Sequence, residues 1–224
     1  MRIDILTLFP NMFNGFISES IIKRAISSDK VEINVIDFRK YTKLKNNQVD
    51  DTAFGGGAGM VIMCDPIVCA LEDIKTPDSH VILLDPKGKL YKQSKAQEFS
   101  KYKHLILICG HYEGIDERIK HFVDEVIGIG DYVLTGGEIP AMIIADSVIR
   151  LLPGVITDDS LESESFNGNL LDYPVYTKPR EYRGYEVPEI LLSGDHQKIA
   201  KYRHEEQIRL TKENRPDLLE AKDE

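Results

Sequence analysis

Short apolar runs alternate with stretches of helical spacing along the first two thirds of the chain. "IDILTLF", "VEINVIDF", "HVILLD", "LILIC" and "DEVIGIG" have strand length. Between and after them come "GFISESIIKRAISS", "PIVCALEDI", "KQSKAQEFS", "IDERIKHF" and "PAMIIADSVIRLL", which place apolar residues on one side of a helix. A parallel sheet needs a crossover between its strands and cover on both faces, so its strands read as nearly continuous apolar runs. The alternation therefore predicts an α/β domain with a mostly parallel sheet flanked by helices. Asp65 is the expected N-cap of one helix, with Pro66 at its first position. Pro140 is expected to start the last helix and Pro153 to stop it. "RKYTKLKNNQVDDTAFGGGAG" reads as a long polar loop, and loops of that length are usually functional or disordered.

After residue 156 the character changes. "TDDSLESESFNGN" is acidic, Ser-rich and poor in large apolar residues, so residues 157–171 read as a flexible linker. Residues 172–224 form a smaller, mainly helical piece. A long helix is expected from about residue 196 to residue 213, with a frayed tail after Pro216. The first piece, residues 1–156, would hold the main core. With 42% hydrophobic residues in 224, the chain can bury one sizeable core and a small second one.

Other classes are disfavoured. No run reaches the roughly 18 uncharged apolar residues of a membrane span. The opening "MRIDILTLFPNMF" lacks a small-residue cleavage site and reads as a first strand. Cys64, Cys69 and Cys109 are odd in number and without CxxC spacing, which suits a reducing cytoplasm and argues against a disulfide frame or zinc site. The formal net charge of -9 argues, taken alone, against a nucleic-acid partner. Local basic patches, "IIKRA" and "YTKPREYRGYE", remain, and an isolated patch of this kind is ordinarily a solvated face.

The run "IGIGDYVLTGGEIPAM" sets four glycines and two acids among apolar residues. Glycine inside such a run marks a sharp bend or a close backbone approach. Three successive strands end in loops of this kind: "LLDPKGK" (83–89), "CGHYEGIDER" (109–118) and "GIGDYVLTGGE" (128–138). Ligands of open parallel sheets sit beyond the carboxyl ends of the strands. Three glycine-bearing loops at one edge predict a cleft where exposed main chain reads a base such as adenine. There is no GxGxxG after a strand, no GxxxxGK[ST], no GxSxG and no HExxH; "FGGGAGM" (54–60) follows a loop. His204 beside Glu205 reads as an exposed helix face.

"LFPNMF", "FGGGAGM", "CGHYEGIDER", "IGDYVLTGGEIPAM", "RLLPGV", "LLDYPVYTKP", "VPEILLSGDH" and "IAKYRHEEQ" occur in this order, from the start to about residue 214. Together they closely resemble the bacterial tRNA (guanine-N1)-methyltransferase family of the SPOUT superfamily. The resemblance implies S-adenosylmethionine as methyl donor, and tRNA methylated at guanine N1 just 3′ of the anticodon, in the anticodon stem-loop. It implies a cytoplasmic homodimer with active sites at the subunit interface, a C-terminal trefoil knot in the sheet domain, and dependence on Mg²⁺ through ligands that stay open.

Matched motif by motif, the implied donor-binding positions are Leu83, Leu84 and Pro86 in the first loop, and Gly110, Tyr112 and Glu113 in the second. Ile129, Gly130, Tyr132, Leu134, Gly136, Gly137 and Pro140 come from the third. Asp172, in "NLLDYP", matches the family's proposed base; its plainer reading is a cap or turn residue before Pro174. Arg150, in "VIRLLPGV", matches the catalytic arginine; its plainer reading is an ion pair with Asp146. Glu113 is implied to face the donor, and would otherwise cap the short helix that follows. The tRNA clamp would use Lys178, Arg180 and Arg183 among Tyr176, Tyr182 and Tyr185, with Lys198, Lys201 and Arg203. His111 and Tyr202 stand where many members carry Arg and Trp. Two alternatives are a SPOUT enzyme acting on another RNA position and a non-catalytic RNA-binding relative.

Overall fold

In the computed structural model, residues 1–157, 164–166 and 169–220 are described. The chain divides into two compact units, Met1–Ile156 and Thr157–Glu224. The first is built on a five-stranded sheet of β1 (Arg2–Thr7), β2 (Glu32–Asp37), β5 (Ser79–Leu90), β6 (His104–Cys109) and β7 (Glu125–Gly128), with β3 (Asp50–Asp51) and β4 (Val61–Ile62) forming a separate antiparallel pair. The strand order is β2-β1-β6-β5-β7, and every pairing in that sheet is parallel. The mostly parallel α/β sheet expected from the apolar alternation is therefore present.

Side chains alternate across a strand with period two, and the sequence exploits this. Ile3, Ile5, Leu105, Leu107, Ile82 and Leu84 enter one core cluster, while Leu6, Ile106, Ile108, Val81 and Leu83 enter the other. Helices α2 (Ser20–Ser27), α4 (Gln93–Phe99) and α5 (Glu138–Ile149) contribute to the first cluster, through Ile22, Phe99 and Ile144 among others. Helix α3 (Cys64–Ile74) supplies Ile67, Ala70 and Leu71 to the second. Every residue of the central strand β6 is buried.

At the amino-terminal end of the sheet, the fully buried Asp4 carboxylate accepts hydrogen bonds from Arg2 (2.6 and 3.0 Å) and Asn34 (3.0 Å), and pairs with His104 Nε2 at 3.1 Å. Ser79 Oγ lies 2.6 Å from the other nitrogen of His104. A Ser-His-Asp alignment thus exists where no local motif announced one. It stands at the opposite end of the strands from the glycine loops, and its acid is saturated with structural partners.

Several boundaries differ from expectation. Helix α3 is capped by Met63, not Asp65, and begins at Cys64. Pro66 is tolerated in the first turn because the first amides of a helix have no intrahelical partner anyway. Helix α5 likewise starts at Glu138, two residues before Pro140, and ends at Ile149, well short of Pro153. "GFISESIIKRAISS" is split into α1 (Asn14–Ser18) and α2, because Glu19 is extended and Ser20 has φ 52°. "IDERIKHF" forms a 3₁₀ turn over Glu117–His121. The long polar loop contains two 3₁₀ turns and strand β3.

In the second unit, β8 (Glu181–Tyr182) and β9 (Tyr185–Glu186) pair as a hairpin, and α6 (His196–Asn214) is the long helix. Asp195 caps α6 by accepting the Lys198 N–H at 3.1 Å. Of the tail expected to fray, Asp217–Glu220 form a short helix, α7, and residues 221–224 lie outside the described residues. Much of the acidic stretch called a linker, residues 158–163 and 167–168, lies outside the described residues. Within the part described, the Leu171 N–H donates to the buried Thr211 hydroxyl at 2.9 Å, and the Asp172 N–H to Ser165 Oγ at 2.9 Å.

Candidate active site

The glycine loops leave three neighbouring strands, β6, β5 and β7, at their carboxyl ends. The first is not a free loop. β5 continues in extended form to Leu90, with a register break that sets both Leu84 and Lys89 opposite Ile127 of β7. The third loop folds back onto the second: His111 and Gly136 form an antiparallel bridge, and the Gly137 N–H donates to Gly110 O at 2.8 Å. Gly137 has to be glycine for this contact. A Cβ there would stand 2.6 Å from Cys109 Cα and 2.8 Å from Gly110 N, both main-chain atoms that cannot rotate away.

The three loops enclose a cavity of about 290 Å³. That is near the lower end of the roughly 300–1,000 Å³ of small-molecule pockets. Every position expected to hold the donor lines it: Leu83, Leu84 and Pro86; Gly110, Tyr112 and Glu113; Ile129, Gly130, Tyr132, Leu134, Gly136, Gly137 and Pro140. Leucine, isoleucine and proline side chains form apolar walls, and the glycines expose main chain. Three charged or titratable members of the lining, Asp85, Lys87 and His111, were not among the expected donor positions, although His111 stood out as a departure from the family's Arg. Asp85 accepts the Lys87 N–H at 2.8 Å.

Glu113 is set by a second set of main-chain contacts. Its N–H donates to Met60 O at 3.1 Å, and Ile62 pairs with Ile115, so the end of the glycine-rich 54–60 segment is fixed beside it. The cap of the following 3₁₀ turn is Asp116, whose side chain accepts from the Arg118 N–H. Glu113 therefore does not cap it. The Arg118 guanidinium beside Asp116 holds that carboxyl down at about 2.

Beneath the loops lies a carboxylate that sequence reasoning quoted but gave no role. Glu138, the first residue of α5, is buried and accepts from the Thr7 hydroxyl at 2.8 Å. A helix amino terminus favours an acid there. Its only advance signal was a carboxylate in an apolar run. Burial, with the Glu138 charge adding to it, pushes the neighbouring Cys109 thiol well above its ordinary range, so that thiol stays protonated.

Arg150 is the half-buried C-cap of α5, and its N–H donates to Asp146 O at 3.1 Å. It is not part of the cavity lining. Asp172 belongs to the second unit, where one carboxylate oxygen accepts the Tyr173 N–H at 2.7 Å. The six basic residues expected to clamp RNA are also in that unit and all exposed. Arg180 pairs with Glu189 (3.5 Å), Lys198 with Asp195 (3.0 Å) and Lys201 with Glu205 (3.8 Å). Arg183 lies over the Tyr182 ring and Arg203 over Tyr173. Exposed pairs of this kind are worth about 0–1 kcal/mol each, little enough for a phosphate to displace them.

The family model for tRNA (guanine-1)-methyltransferase TrmD matches residues 1–221. The chain belongs to this family. Curated relatives named tRNA (guanine-N(1)-)-methyltransferase align along nearly the whole length. That of Malacoplasma penetrans is 59% identical over 98% of this chain and 97% of its own. That of Ureaplasma urealyticum is 56% identical over the same shares. That of Geobacillus kaustophilus is 54% identical over 98% of this chain and 92% of its own. The cavity thus sits in a methyltransferase of the TrmD family, and the sequence resemblance is confirmed over nearly the full chain. Among the described residues, no helix is long and apolar enough to cross a membrane.

Proposed function

We propose that this chain methylates N1 of a guanosine in tRNA, just 3′ of the anticodon, and that the loop cavity binds S-adenosylmethionine. The observation that carries the reading is the convergence of every expected donor position on one cavity in a chain of this family. Apolar walls suit the adenosyl ring, exposed main chain can hydrogen-bond its edge, and Asp85, Lys87 and Glu113 offer charge for the polar end. When bound, S-adenosylmethionine supplies an electrophilic methyl group on a sulfonium. The refolding of the third loop onto the second supports the trefoil knot expected of the SPOUT superfamily.

The remaining demands fall on the chain's own side chains. Guanine N1 carries a proton and attacks poorly until it leaves. Asp172 takes that proton as general base, a role worth roughly 10²–10⁴-fold. Negative charge then builds on O6, and Arg150 stabilises it. Glu113 aligns the donor's reacting end. Asp172 comes from the opposite subunit of a homodimer, so a twofold axis creates two equivalent sites. The exposed Arg, Lys and Tyr side chains of the second unit hold the anticodon stem-loop through phosphates and stacked bases. Among the described residues, no group of three or more His, Cys, Asp or Glu is placed to hold a metal ion. The described residues form no magnesium cage of their own, and no step runs through that ion.

The test is methyl transfer to tRNA transcripts carrying guanosine, inosine or adenosine at the proposed position. Guanosine and inosine share N1–H and O6, so both should accept methyl, and adenosine should not. Equal methylation of the adenosine transcript would contradict the reading.

A further inference from the structure

His111 is left in an unsettled position by the fold. Its Nδ1 is buried and finds no hydrogen-bond partner among the described residues. Yet a carboxylate lies almost within reach: Nδ1 is 4.0 Å from Oε2 of Glu138, whose side chain is 3% exposed. A shift of about 1 Å would bring the pair to charge-assisted hydrogen-bond distance.

The surroundings restrict that shift to one direction. The imidazole packs against the Phe9 ring, with centroids 4.7 Å apart, and meets Tyr112 edge-on at 5.1 Å. Glu138 is fixed at the start of α5 and by the Thr7 hydroxyl. Gly136 keeps the approach open, since a Cβ there would lie 2.6 Å from His111 Nδ1. The movable partner is therefore His111, which lies directly before the cavity residues Tyr112 and Glu113 and is bridged to Gly136. Tyr112 has φ 58°, so this segment is held in a left-handed conformation that few residues adopt.

We propose that His111 and Glu138 form a latch that positions the 110–113 segment of the donor cavity, closing when the His111 imidazole is protonated at both nitrogens and opening when it is neutral. The inference rests on the donor reading given above. The titratable groups seen against His111 are Glu138 from α5 and Tyr112 on its own segment; the Cys109 thiol of β6, beside Glu138, stays protonated. Among the described residues, only Glu138 offers a carboxylate to Nδ1. Glu138 and His111 are positioning residues; neither needs to touch the methyl group.

The experiment compares the wild-type protein with His111→Gln and Glu138→Gln, both close to isosteric. In the donor-free protein, NMR signals of the His111 imidazole are expected to titrate at lower pH in Glu138→Gln than in wild type, since a neighbouring carboxylate favours the charged ring. Calorimetry with S-adenosylhomocysteine should then show wild-type affinity about threefold tighter near about pH 6 than near about pH 8, the scale of one partly exposed ion pair. Both variants should lose that pH dependence. A merely structural role would weaken binding equally at every pH. An unchanged His111 titration in Glu138→Gln would overturn the pairing. A shifted titration with pH-independent wild-type affinity would overturn the positioning role. A shifted titration without any ligand binding would instead remove the donor reading, and the latch function with it.

Discussion

A base must keep one oxygen free to take a proton, and Asp172 is held in that way. Oδ1 accepts the Tyr173 N–H, while Oδ2 has no hydrogen-bond partner among the described residues. Its own N–H is tied to Ser165, so the backbone is anchored while half the carboxylate stays available. Asp172→Asn keeps the shape and the local hydrogen bond but cannot accept the N1 proton. The expected outcome is unchanged S-adenosylhomocysteine affinity by calorimetry and a fall in single-turnover rate of roughly 10²–10⁴-fold. Turnover near wild type would show that another group is the base. From sequence, this residue could be told from a turn residue only through the family motif. Its local geometry is indeed turn-like, and chemistry of this kind leaves no periodic trace.

At the scale of elements, the close approach of the third loop to the second defines the cavity. Gly137→Ala would press a methyl group against the main chain of Cys109 and Gly110. Such overpacking costs about 1–3 kcal/mol, and here the neighbour cannot move aside. A fall in Tm of several degrees is expected by calorimetry, together with loss of donor binding; an unchanged Tm would mean that the loops part easily. The strands were legible because burial on both faces makes β1, β5 and β6 nearly continuous apolar runs, and the helices because apolar residues recur at helical spacing. Helix ends were not. Asp65 was expected as the cap of α3 on side-chain preference, yet Met63 holds that position with no side-chain cap. The break between α1 and α2 depends on one left-handed serine, Ser20, to which apolar spacing is blind. Glu138 was missed because its partner Thr7 lies 131 residues away. Long-range pairing of this kind exists only once the fold has brought the end of β1 to the start of α5.

For the whole molecule, the net charge of -9 pointed away from nucleic acid, and the family places the chain with tRNA enzymes. Net charge averages over surfaces, while the exposed basic and aromatic residues of the second unit are local. Ordinary topology rules, which treat threading as exceptional, do not lead to the knot proposed here. A base supplied by one subunit to a donor cavity of the other is the central claim, and subunit complementation tests it most directly. Asp172→Asn lacks only the proposed base. Leu134→Asp places a charge in the half-buried cavity wall and removes donor binding. Each alone is expected to be nearly inactive. When the two are co-expressed in equal amounts, half of the dimers are mixed, and each mixed dimer holds one intact site, so methyl transfer should recover to about a quarter of wild type. A mixture no more active than its separate components, with mixed dimers verified by mass spectrometry, would contradict a site shared between subunits.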